Sequence, residues 1–144
     1  PMMIFPIHTG RSFYPDMNPI FQQSIAVYSQ QHKLLLELAE KSDCVIVGRC
    51  GDYILRDRSP LRIFVYAPVE NKVRRCMAHM RENEENMTEQ AMQRKIAGLD
   101  RNRAEYYEFY SGQKWGAREN YDLMINTAHM DLPRAVDAIA SYIG

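Results

Sequence analysis

No stretch of this 144-residue chain spells GxxxxGK[ST] or GxGxxG. Its glycines stand at positions 10, 48, 51, 98, 112, 116 and 144, too scattered to form a loop whose backbone amides cradle a polyphosphate. The three cysteines, Cys44, Cys50 and Cys76, contain no CxxC pair and leave an odd thiol. That pattern argues against a disulfide framework or a zinc site and suits a reducing cytoplasm. The four histidines, at 8, 32, 79 and 129, lack metal-ligand spacing, and no serine sits in a GxSxG elbow, so no metal site is expected. Neither sign of charge is in excess: 18 basic and 18 acidic residues cancel, which removes the broad footprint of a nucleic-acid binder. Long apolar runs are absent too, so no membrane span is expected. Pro1 to Gly10 has neither the basic start nor the apolar core of a secretory signal.

What remains is an ordinary globular composition, 46% hydrophobic and 25% charged. A chain of this length suits one domain, 1–144, and buries roughly two thirds of its extended surface. The most informative segment is the run Cys44, Val45, Ile46, Val47, closed by Gly48 and Arg49 and followed by Cys50, Gly51 and Asp52. Three consecutive β-branched residues predict a strand buried on both faces, of the kind found in parallel sheets flanked by helices. In such sheets ligands bind beyond the carboxyl ends of the strands, so Gly48 and Arg49 are placed to meet an anion.

Around that segment the pattern predicts a loop or arm over 1–18, then an amphipathic helix from Ile20 to about Lys41. Phe21, Ile25, Tyr28, Leu35, Leu38 and Ala39 share its apolar face, with His32 as a core or boundary residue. A short helical turn follows from Asp52 to Arg56. Leu61 to Ala67 reads as a second buried strand. A helix from Val69 to about Arg81 then turns Val73, Cys76, Met77 and Met80 inward and exposes Lys72, Arg74, Arg75 and Arg81. Thr88 caps a long helix reaching about Tyr110, with Met92, Ile96, Leu99, Tyr106 and Tyr110 on its stripe and Arg103 in phase with them. Tyr121 to Asn126 is a third strand. Asp131 caps a last helix with Leu132, Val136, Ile139 and Ile143 on one face.

Arg49 at a strand end and Arg103 on an inward stripe can converge on one anion, each with a planar fork of donors. Asp100 lies one turn before Arg103. The plainer alternative pairs Asp100 with Arg103 and Arg49 with a carboxylate such as Asp52. Lys72, Arg74, Arg75 and Arg81 are either a basic flap over a polyphosphate or a solvated face. Gln113, Lys114, Trp115 and Gly116 are either a ligand loop or a loop anchored by its tryptophan.

The runs VIVGR, RIFVYAP, LDRNRAEYY, GQKWG and YDLMINT, in that order from about Asn18 to the end, resemble the cytidylate kinase-like group of P-loop nucleotide kinases. The resemblance implies an α/β fold, a parallel sheet with flanking helices like that of P-loop nucleoside monophosphate kinases, with a lid-like helical region around 69–90. It implies ATP-dependent phosphorylation, with Mg2+, of a nucleoside monophosphate or similar small acceptor. By matching residues, Arg49 and Arg103 would hold the acceptor phosphate, Asp100 the ribose, and Arg74 or Arg75 would neutralise charge on the transferring group. The family's first strand and P-loop have no counterpart in these residues. The chain is therefore expected to represent the acceptor half of a kinase, with the sheet completed by an upstream segment, another chain or a rearranged fold.

Val47 and Cys50 stand where the family usually has aspartates, and Ile96 where it has an arginine. These departures support an alternative, a noncatalytic kinase homologue that binds an anion or nucleotide as an interaction module. A third reading, RNA binding through the helix from 69 to 81, sits poorly with the balanced charge. The expected partner is a small-molecule nucleotide, with a homo-oligomer left open.

Overall fold

The computed structural model describes residues 19–79 and 87–143. The expected arm over 1–18, together with Met80 and Arg81, lies outside the described residues. The chain divides into two compact units, Pro1–Pro60 and Leu61–Gly144.

The first unit begins with α1, Pro19–Lys41, rich in Gln, Leu, Glu and Ala, which favour helix. Lys41 in its last turn complements the helix dipole. His32 is half-buried and meets Tyr28 edge-on, with ring centroids 6.0 Å apart, a boundary role as expected. A short helix α2, Gly51–Ile54, and a 3₁₀ turn, Arg56–Arg58, follow. Arg58 ties that turn to α1 through Glu40 at 2.5 Å. The buried centre of the unit is Cys50, Gly51, Ile54 and Leu55.

Residues 44–48 correct the expectation of a strand buried on both faces. They belong to no strand, with Val45 94% and Val47 88% exposed. Only Ile46 turns inward, its Cγ2 lying against Gly51. β-branched composition favours a pleated conformation, yet a strand also needs a hydrogen-bonding neighbour, and among the described residues this segment has none.

The second unit holds a two-stranded parallel sheet, β1, Ile63–Tyr66, beside β2, Leu123–Asn126. The register pairs Ile63 with Leu123 and Tyr66 with Asn126. Between the strands run α3, Val69–Ala78, and α4, Glu89–Ser111, packed on each other. The expected α/β class is therefore observed, with helices flanking a parallel sheet. Arg62 and Asp122 close the start of the sheet through two side-chain bonds, Nε to Oδ2 at 3.1 Å and a terminal guanidinium nitrogen to Oδ1 at 2.8 Å. The Arg62 amide adds a third bond to Oδ2 at 2.8 Å.

Thr88 caps α4 as predicted, its hydroxyl accepting from the Ala91 amide at 3.2 Å. Met92, Ile96 and Tyr107 are buried along the helix. Arg103 is not on a buried stretch, since its side chain is half exposed. It lies in phase with the stripe, but no apolar cover forms there, and a guanidinium keeps its water where burial would go uncompensated.

The loop after α4 settles on the sheet, with Trp115 edge-on to Phe64 at 5.2 Å and Tyr121 against the same ring at 4.8 Å. Trp115 thus anchors the loop. The last helix, α5, Leu132–Ile143, is capped by Asp131 accepting from the Arg134 amide at 3.0 Å. Of its expected face Ile139 turns inward, beside Ala135, while Val136 and Ile143 are exposed; the Leu132 side chain lies outside the described residues.

Candidate functional site

Both strands of the second unit end on the same side, at Tyr66 and Asn126, and the chain after β2 turns there under cationic side chains. Thr127 is buried, its amide and hydroxyl both donating to the Tyr66 carbonyl, at 2.9 and 3.2 Å. Arg75 of α3 reaches this corner and donates to the Thr127 hydroxyl at 3.1 Å and carbonyl at 3.3 Å. Asn71 donates to the Ala128 carbonyl at 3.2 Å. One face of α3, carrying 71, 72 and 75, is thereby fixed over the carboxyl end of the sheet, where α/β proteins bind ligands.

The same face meets α4 through an ion cluster. Lys72 donates to Asp100 Oδ2 at 2.5 Å, and Arg103 donates to Asp100 Oδ1 at 2.7 Å. The Asp100 side chain is 23% exposed, Lys72 32% and Arg103 51%. Two cations, Lys72 and Arg103, therefore face one carboxylate, while Arg75, one turn along α3 from Lys72, holds the strand end. Such a surplus favours an anion, and the arginine fork suits a phosphate.

Of the sequence-predicted residues, the structure brings together Asp100 and Arg103, while Arg75 bonds Thr127 at the strand end. Arg74 does not join them: as the neighbour of Arg75 in a helix, it points about 100° away. The plainer expectation of an Asp100 to Arg103 pair is met, and Lys72 enlarges it. At Lys72 the reading of the basic run as a wholly solvated face fails, since its ammonium pairs with Asp100; its three-residue spacing from Arg75 is the signal that both share one side of α3. Asn71 and Thr127 carry no sequence signal, since only the packing of α3 against the strand end gives them a role.

Arg49 lies in the first unit, half-buried, in a turn where Gly48, Arg49 and Cys50 all have left-handed backbone, with φ of 71°, 58° and 54°. Consecutive non-glycine residues in this region cost about 1–2 kcal/mol each. Bonds from the Gly51 amide to the Gly48 carbonyl at 3.0 Å and from the Ile54 amide to the Cys50 carbonyl at 2.8 Å close the turn. Burial pushes the Cys50 thiol up to about 12, with the Asp52 charge adding to it, so the sulfur stays protonated and is no nucleophile.

Among the described residues no group of three or more His, Cys, Asp or Glu could hold a metal ion. No helix among them is long and apolar enough to cross a membrane.

The cytidylate kinase-like family model matches residues 8–129. The crystal structure of an uncharacterized protein from Eubacterium ventriosum is similar, with a TM-score of 0.74 at 29% identity over 84% of this chain and 74% of that one. No curated protein matches. The family match takes in the Gly48–Arg49 turn, the Asp100–Arg103 pair and the anchored Trp115 loop, and the chain belongs to the cytidylate kinase-like family.

Proposed function

We propose that this protein is a phosphotransferase of P-loop nucleoside monophosphate kinase type, and that the described residues supply its acceptor-binding groups. The acceptor is a nucleoside monophosphate or a similar small phosphorylated molecule, and the donor is ATP with Mg2+. The observation that carries this reading is the carboxylate of Asp100 held between Lys72 and Arg103 beside the carboxyl end of the sheet. Arg103 binds the acceptor phosphate and Asp100 accepts from a sugar hydroxyl. Arg75, held at the strand end by Thr127, offsets negative charge during transfer, as positioning and electrostatics dominate phosphoryl transfer.

The described residues do not fit the donor side of the reaction: they contain neither a phosphate-cradling glycine loop nor a carboxylate cluster suited to magnesium. ATP and magnesium enter through the family alone.

The test is a phosphoryl-transfer assay of the full-length protein with Mg-ATP and a panel of ribo- and deoxyribonucleoside monophosphates. Turnover of at least one, lost in Arg103→Ala, is the expected result. A second reading, a noncatalytic homologue that binds a nucleotide or anion, is favoured by Val47 and Cys50 in place of the family's aspartates. Tight monophosphate binding with no transfer to any acceptor would establish that second reading instead.

A further inference from the structure

We propose that Lys72 is an exchangeable partner of Asp100, so that the site selects ligands carrying a phosphate and a free hydroxyl together over either group alone. The proposal rests on the acceptor-site reading of Asp100 and Arg103 and adds a residue and a selection rule to it.

Both oxygens of Asp100 are engaged, Oδ2 by Lys72 and Oδ1 by Arg103. A ligand hydroxyl that is to donate to Asp100 must therefore displace one of them. Arg103 sits on the same helix, one turn from Asp100, and its attachment keeps the guanidinium near the carboxylate. Lys72 comes from the neighbouring helix on a flexible four-carbon stem, and its compact ammonium is easily turned. Its side chain is 32% exposed, which leaves the ammonium room to turn toward water.

A released ammonium beside Arg103 needs a new anion. A phosphate monoester, carrying between one and two negative charges near neutral pH, matches two cations whose shared carboxylate is taken up by a hydroxyl. Phosphate alone can draw Lys72 away but leaves an Asp100 oxygen uncovered. A hydroxyl alone can take that oxygen but strands the ammonium. A molecule bearing both satisfies each group, and the two halves bind with positive coupling.

The experiment measures binding of cytidine, inorganic phosphate and cytidine 5′-monophosphate to the full-length protein by calorimetry, for wild type, Lys72→Met and Lys72→Ala. The methionine variant keeps the apolar stem and guards against loss of helix packing. Removing the ammonium is expected to tighten cytidine roughly two- to fivefold and to weaken the monophosphate and phosphate by a similar factor, the scale of a partly exposed ion pair. Opposite shifts are the signature, because simple loss of structure weakens all three. Shifts of the same sign, or none, in both variants would overturn the exchange. If the wild type binds no monophosphate, or Arg103→Ala leaves its affinity unchanged, the acceptor-site reading fails, and the exchange with it.

Discussion

At the scale of single residues, the Gly48–Arg49–Cys50 turn is where local preference and structure conflict most. A left-handed turn through an arginine and a cysteine is unfavourable, and positions held against preference are often sites where a side chain is presented for use. Two glycines beside it separate backbone strain from crowding. Gly48 has φ of 71° and open space around a built Cβ, so Gly48→Ala should cost about 1 kcal/mol through conformation alone. At Gly51 a Cβ would lie 2.7 Å from Ile46 Cγ2, and overpacking by a stiff β-branched side chain should cost about 1–3 kcal/mol. Urea unfolding of a double-mutant cycle checks this: Ile46→Ala should soften the effect of Gly51→Ala and not that of Gly48→Ala. Additive behaviour in both pairs would mean Ile46 does not press on Gly51.

At the scale of elements, the sheet of the second unit depends on a clamp as well as on its ladder. The hydrogen bonds from the Arg62 side chain to Asp122, with that from its amide, hold this carboxyl below its ordinary value. A carboxyl depressed in the folded state stabilises the fold above its unfolded value, about 3.9, and that contribution is lost as pH falls through the folded value. Thermal unfolding between pH 7 and pH 3 should therefore show a loss that Asp122→Asn removes, at the cost of lower stability at pH 7. An unchanged pH profile in the variant would assign the acid sensitivity elsewhere.

Periodicity made the helices legible. α4 and α5 start within a residue or so of their predicted positions because Thr88 and Asp131 are caps whose chemistry is local. Burial was less legible. The outward turn of Val136, the open setting of Arg103 and the unpaired state of 44–48 depend on what lies opposite, and a single sequence does not state that.

At the scale of the whole molecule, the chemistry of the site was partly readable. Asp100 and Arg103 were identifiable from spacing and from the DRNR run, and their ion pair is observed. Lys72 was visible only as one member of a charge run, whereas its bond to Asp100 arises from the packing of α3 on α4. The site assembled by α3, α4 and the end of β2 is thus a property of the second unit as a folded object. The most direct test of its role is a calorimetric titration of each ribonucleoside 5′-monophosphate in turn into the full-length protein and its Arg103→Ala variant, with circular dichroism to verify the helices. Binding by wild type and a loss on the order of tenfold or more in the variant is the predicted result, because a charged hydrogen bond to phosphate contributes about 1.5–3 kcal/mol. Equal affinity in the two proteins, or none in either, would contradict the assignment of this cluster as the acceptor site.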